Sequence, residues 1–102
     1  MRKPIAVSEL LAQGKAKLER LRAGADAASR ALSAVQQCLP PDSAPHVWGA
    51  SLGSQGVLTV VTDGGGWATR IRYAVPDLMP EVARRLEAPV VKVVVRVRPR
   101  PA

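Results

Sequence analysis

Aromatic residues are scarce in this 102-residue chain, which has no phenylalanine and only 3% aromatic residues in all. Its core must therefore be built mainly from Leu, Val and Ala. The single cysteine, Cys38, excludes an intrachain disulfide and is typical of a reducing cytoplasm. One cysteine and one histidine cannot supply the four ligands of a structural zinc site, so we predict no metal.

Long hydrophobic runs are also missing. Short stretches such as Val93–Val95 fall far below the roughly 20 apolar residues that a membrane-spanning helix needs. The opening Met1-Arg2-Lys3-Pro4 does not lead into the apolar segment of a signal peptide. Since 47% of the residues are hydrophobic, the composition is that of one small globular domain without membrane contact.

Positive charge is concentrated at the two ends of the chain. The net charge of +7 divides into +4 over residues 1–38, −2 over residues 39–69 and +5 over residues 70–102. A basic protein with this distribution is suited to an acidic partner, and nucleic acid is the simplest one.

Apolar and small side chains recur at alternating steps of three and four along the first third of the chain, as in the a/d seam of a heptad repeat. Ser8 and Glu9 resemble a helix start, because a hydroxyl can cap the helix and an acid favours its first turn. The seam consists of Leu11, Gly14, Leu18, Leu21, Ala25, Ala28, Leu32, Val35 and Leu39.

A helix over residues 8–38 would be about 45 Å long, which is more than the remaining chain can cover. Each of the two glycines in its first half costs about 1 kcal/mol relative to Ala. We therefore predict a core-packed helix at residues 26–38, preceded by a basic, partly helical N-terminal arm at residues 1–24. The alternative is a coiled coil that self-associates through residues 11–39.

Two strand patterns follow the proline-rich segment that ends this helix. His46–Leu52 and Val57–Thr62 are joined by Gly53-Ser54-Gln55-Gly56, which predicts a β-hairpin. The same four residues spell G-x-x-G, the backbone clamp of nucleic-acid-binding KH domains, but that loop belongs between two helices. We interpret this one as a turn.

The last part of the chain is predicted to form a helix pair and a strand. An apolar helical face interrupted by Pro76 and Pro80 predicts helices at residues 66–75 and 77–87. From Pro89 onward, valines alternate with Lys92, Val94, Arg96 and Arg98, the clearest period-two pattern in the chain. The predicted fold is α+β, with a three-stranded sheet and helices on one face.

The order of four stretches resembles the DciA-like family, bacterial proteins that act as loaders or operators of the replicative DNA helicase. The family domain is similar to the K-homology (KH) fold, which implies a KH-like domain at residues 25–100, in a bacterial cytoplasmic protein. The helix ending in Leu39-Pro40 also fits. The stretches are Val57–Thr62, Trp67–Arg72, Leu78 with Val82–Leu86, and Val91–Arg98.

The resemblance implies DNA and the replicative helicase as partners. Family members often carry a C-terminal extension implicated in helicase contact, whereas this sequence ends at Ala102, directly after the last predicted strand. Helicase contact is then expected to use the N-terminal arm, or the protein has a narrower role. Two other functions stay open, a protein-interaction adaptor that uses the heptad-bearing helix and an RNA-binding KH-like module.

No residue pattern indicates catalysis or a cofactor. Gly64-Gly65-Gly66 lacks the Lys of a P-loop, and no serine, cysteine or histidine has a partner at catalytic spacing. We interpret Asp63 as a helix cap, and Trp67 and Trp48 as core residues because each shares a face with apolar neighbours. The sequence therefore predicts that the protein is not an enzyme.

The predicted DNA contacts are basic side chains in three places. A strand that exposes cations along one face leaves that face unburied. Contact with a phosphate backbone would explain why the face stays exposed. Since no aromatic residue is predicted there, we expect backbone contact with little sequence readout. The candidates are Lys92, Arg96, Arg98 and Arg100 at the last strand, Arg70 and Arg72 in the second helical region, and Lys15, Lys17, Arg20 and Arg22 in the arm.

Overall fold

The computed structural model describes residues 7–101, with side chains from residue 14 onward. Residues 1–6 of the predicted arm lie outside this range. The chain forms a long helix, a short 3₁₀ turn, a β-hairpin, a second helix and a last strand. The elements are α1 (Val7–Cys38), β1 (Val47–Leu52), β2 (Val57–Thr62), α2 (Gly65–Leu86) and β3 (Lys92–Val97), with the turn at Ala44–His46 between α1 and β1.

Helix α1 is continuous, and among its described side chains only those from Ala28 onward pack on the domain. Residues 14–27, called the exposed half of α1 below, are all exposed, whereas Ala31, Ala34 and Val35 are almost fully buried. The predicted core-packed segment at residues 26–38 matches this buried half. The exposed half is helical throughout, and neither Gly14 nor Gly24 interrupts the helix. The division into an arm at residues 1–24 and a domain at residues 25–100 stays a prediction. Helix α1 continues without a break across the boundary between residues 24 and 25.

The three strands form one mixed sheet in the order β1-β2-β3, in which β1 is antiparallel and β3 is parallel to β2. The G-x-x-G segment is a hairpin turn, closed by a hydrogen bond from the Gly56 amide to the Gly53 carbonyl at 3.0 Å. Gly56 has a positive φ of 79°, and a Cβ atom there would lie 2.8 Å from Val91 Cγ2. Glycine is therefore required at this turn, where its carbonyl also accepts the Val91 amide.

Helix α2 is a single helix, so the predicted break at Pro76 is absent. Both prolines are exposed, and they lie four residues apart on the solvent side of the helix. The carbonyls that lose their backbone donors therefore face water, which can bond to them. Because Ile71, Leu78 and Val82 are buried on the opposite side, tertiary packing holds the helix together across the prolines.

Both helices pack on the same face of the sheet. The core combines Val35 of α1, Ile71 of α2, and Leu58 and Val60 of β2, all fully buried. Cys38 packs at the margin of this core, as predicted. The α+β fold with a three-stranded sheet is confirmed and is consistent with a small KH-like domain. Within residues 7–101, no helix is long and apolar enough to cross a membrane.

Candidate nucleic-acid interface

Within residues 7–101, no element covers one face of the sheet. Along β2, the side chains of Leu58, Val60 and Thr62 are fully buried toward the helices. The alternating residues of β2 point to the other face, where they are only half-buried; these are Val57, Thr59 and Val61. This uncovered surface is called the open sheet face below.

Three cations line the open sheet face along β3. Lys92 pairs with Val57 and Arg96 pairs with Val61, which places both cations on the open face, opposite the buried Val95. Arg98 continues the alternation and is exposed. At about 3.3 Å per residue, Lys92 and Arg96 are about 13 Å apart along the strand, and Arg96 and Arg98 are about 7 Å apart. Among the described residues, none of the three makes an ion pair within 4 Å.

Arg72 adds a fourth cation at the outer edge of β3. Its Nη2 atom donates to the Val95 carbonyl at 3.3 Å, a group that the parallel ladder leaves unpaired on the side away from β2. The bond fixes the guanidinium beside the strand that carries Lys92 and Arg96 and that Arg98 follows. The structure thus brings together four of the ten predicted contact residues.

Arg70 and Arg100 are engaged by carboxylates instead. Arg70 Nη1 lies 3.1 Å from Asp42 Oδ2, and Arg100 Nε lies 3.2 Å from Asp63 Oδ2. Arg100 also donates to the Pro45 carbonyl. Since each charge already has an anionic partner, these two residues are weaker candidates for phosphate contact than those on β3. The sequence pattern could not show this, because the partners are 28 and 37 residues away.

The four arm cations do not form one patch. At about 100° per residue, Lys17 and Arg20 lie on one side of α1, whereas Lys15 and Arg22 lie near the opposite side. All four are exposed. A straight phosphate backbone would therefore meet only two of them at a time.

Trp48 lies on the open sheet face, so its predicted place in the core is wrong. A register shift between Val47 and Gly49 inserts one extra residue into β1, and this residue is Trp48. Val47 faces the helices and Gly49 opposes Val61 on the open face, so the bulge turns Trp48 outward. The indole is half-buried, and its Nε1 donates to the Arg98 carbonyl at 3.0 Å. The basic face therefore includes an aromatic ring, which the alternation in the sequence had excluded.

Asp63 and His46 form a structural cluster at the end of the sheet. Asp63 does not cap α2, whose N-cap is Gly64; instead its Oδ1 lies 3.0 Å from His46 Nδ1. Desolvation raises the pKa of the Asp63 carboxyl, but the hydrogen bonds and Coulombic interactions with His46 and Arg100 outweigh it and hold the pKa below its usual value. These contacts anchor the segments before β1, after β2 and after β3 to one another.

Trp67 belongs to this cluster and is not a core residue, which corrects its predicted position. Its ring stacks on His46 with 3.9 Å between ring centroids and 12° between planes. The Arg70 guanidinium carbon lies 4.8 Å from the indole centroid. Trp67 is half-buried at the start of α2, so it joins the helix to the segment before β1 without filling the interior.

Replacing Trp67 by Ala is expected to cost about 1–2 kcal/mol of unfolding free energy, below the 3–5 kcal/mol of a fully buried aromatic. The reason is that a half-buried stack, rather than a packed core position, is lost. Urea unfolding at neutral pH measures the difference, and Trp67→Phe, which keeps a stacking ring, is the control. A loss above about 3 kcal/mol for Trp67→Ala would restore the core interpretation.

Comparison with known proteins supports the resemblance noted in the sequence. The model of the family described as "Dna[CI] antecedent, DciA" matches residues 6–95, which include α1, both strands of the hairpin and α2. The search of curated proteins found no match. The chain therefore belongs to the DciA family, a non-catalytic accessory family associated with helicase loading in bacterial DNA replication.

Proposed function

We propose that this chain is a DNA-binding accessory protein that assists loading of the replicative helicase in the bacterial cytoplasm. Family membership supports the replication role. The main support for DNA binding comes from the open sheet face. There, Lys92, Arg96 and Arg98 are exposed and make no ion pair with any described residue. A protein gains little stability from such a row, whereas a phosphate backbone would neutralise it.

The composition of the open sheet face favours a single strand. Its floor is uncharged and mostly apolar, formed by Val57, Thr59, Val61 and Val94, with the cations along one side. Trp48 provides a ring on which an unstacked base can lie, at the end of the cationic row where its indole contacts the Arg98 backbone. A cationic row beside an aromatic platform is the arrangement by which proteins bind single strands without reading their sequence.

The Trp48 indole is expected to distinguish single strands from duplexes. Trp48→Ala should weaken binding to single-stranded DNA by about 10- to 100-fold, because base stacking on an aromatic ring contributes about 1–3 kcal/mol. Binding to duplex DNA, which offers no unstacked base, should change little. Fluorescence anisotropy with labelled 20-nucleotide oligomers of both kinds measures the two affinities.

Trp48→Phe is the matched control, since it keeps a stacking ring but cannot donate to the Arg98 carbonyl. It should retain most single-strand binding. Equal loss on single-stranded and duplex DNA in Trp48→Ala would mean that the substitution acts through the position of Arg98. Titration with RNA of the same sequence tests the rival RNA-binding function, which tighter binding to RNA than to DNA would support.

Helicase contact is tested separately from DNA binding. The full chain, immobilised and incubated with nuclease-treated bacterial lysate, is expected to retain a hexameric helicase. Because nucleic acid has been removed, retention cannot arise from DNA bound to both proteins. Loss of the helicase after nuclease treatment would leave DNA binding in place and contradict the loading role.

A further inference from the structure

The exposed half of α1 carries an apolar seam that the domain does not cover. Leu18 and Leu21 are 65% and 63% exposed. They occupy adjacent a and d positions of the heptad seam. Farther along the chain, the seam positions Val35 and Leu39 are part of the core, and Leu32 packs against it. The first half of α1 thus continues a contact surface beyond the edge of the domain to which it belongs.

The charges beside this seam all have one sign. With Leu18 at an a position, Lys15 and Arg22 occupy e positions and Lys17 occupies a g position, the sites that face a partner helix. The two acidic residues of the segment, Glu19 and Asp26, both fall at b positions, away from the seam. Within the described side chains, none of these five residues makes an ion pair.

Like charges beside the seam oppose pairing of α1 with a second copy of itself. In a parallel pair, Lys17 of one helix meets Arg22 of the other, and in an antiparallel pair Lys15 meets Arg22. Both orientations bring cations together, and Glu19 and Asp26, at b positions, are too far from the seam to compensate them. Self-association through residues 11–39, one of the alternatives that the sequence left open, is therefore disfavoured by these positions.

A groove at the base of the exposed half extends the apolar surface onto the domain. It has a volume of about 310 Å³ and is lined by Ala28 of the seam together with Leu52 and Leu86 at the ends of β1 and α2. A helix lying along the seam would meet apolar side chains of the domain at this end. The surface is thus longer than the two exposed leucines alone.

We propose that the exposed half of α1 docks an amphipathic helix of another protein whose apolar seam is flanked by Asp or Glu. The leucines supply apolar contact area, and Lys15, Lys17 and Arg22 select acidic partners over a second copy. Nucleic acid would use these cations but not Leu18 and Leu21. The surface is separate from the open sheet face, so the proposal does not depend on DNA binding there.

The test uses two synthetic four-heptad helices with Leu at a and d, one with Glu and one with Lys at e and g. The full chain should bind the Glu peptide at least about tenfold more tightly than the Lys peptide in calorimetric titration. Lys15→Glu, Lys17→Glu and Arg22→Glu together should reverse this preference. Leu18→Ser with Leu21→Ser should abolish binding to the Glu peptide and leave DNA affinity unchanged.

Several outcomes would overturn the proposal. They are equal affinity for the two peptides, no binding of either, and undiminished binding of the Glu peptide by the leucine variant. A concentration-dependent dimer of the unaltered protein in light scattering, lost in the leucine variant, would identify a second copy as the occupant. If the charge reversal weakens DNA binding while the Glu peptide is not bound, this half of α1 is a nucleic-acid contact instead.

Discussion

Raising the salt concentration from 50 to 200 mM is expected to weaken duplex DNA binding by about 100-fold, because each neutralised phosphate releases counterions and contributes about −0.9 to the log-log slope. Four contacts, from Lys92, Arg96, Arg98 and Arg72, give a slope of about −3.6. Replacing the first three by Gln should leave one contact, so that the same change in salt weakens binding only about three- to fourfold. Anisotropy titrations at several salt concentrations measure both slopes.

The matched control replaces the same kind of charge on α1. Gln at positions 15, 17, 20 and 22 removes four cations, yet it should leave the slope nearly as steep, because these side chains lie around the helix rather than on one face. Both variants should unfold like the unaltered protein, since every replaced side chain is exposed. Loss of binding in the helix variant alone would show that α1, and not the open sheet face, contacts DNA.

Leu58→Ala is expected to lower the unfolding free energy by about 2–5 kcal/mol, because Leu58 is fully buried between the sheet and the helices. In a domain of this size, that loss corresponds to a fall in Tm on the order of 10–30 °C. Thermal unfolding followed by circular dichroism measures it. If the Ala variant does not fold at all, Leu58→Val, which removes less volume, should give a smaller and measurable loss.

The control for Leu58 is the same substitution at Leu18, which is 65% exposed. Leu18→Ala should change stability by less than about 0.5 kcal/mol, because little buried area is lost and Ala favours the helix. A loss at Leu18 comparable to that at Leu58 would mean that the exposed half of α1 is packed in solution. Such a result would contradict the bare seam on which the acidic-helix proposal depends.

The alternation in β3 was predictable because it depends on local geometry alone. Side chains along any strand point to opposite faces, so Val93 and Val95 had to lie on one face, and Lys92 and Arg96 on the other. The buried half of α1 was predictable for a similar reason, since its apolar residues follow the helical period. The hairpin turn followed from Gly53 and Gly56.

The ends of the elements were less predictable. The prolines of α2 indicated a break, but burial of Ile71 and Leu78 on the opposite side maintains one helix. The seam of α1 did not show where the domain stops covering it, because Leu21 and Leu32 occupy equivalent kinds of position. Only the packing of β1 and α2 leaves Leu21 exposed and Leu32 half-buried.

The sequence by itself therefore determined the three strands, the fold class and the cationic row along the last strand, since each depends on neighbours a few residues apart. The tertiary structure decided which other residues join that row. The bulge in β1 depends on pairing with β2, and it turns Trp48 onto the open face. Asp42 and Asp63 engage Arg70 and Arg100 across 28 and 37 residues of chain, and no local pattern encodes which carboxylate a guanidinium meets after folding.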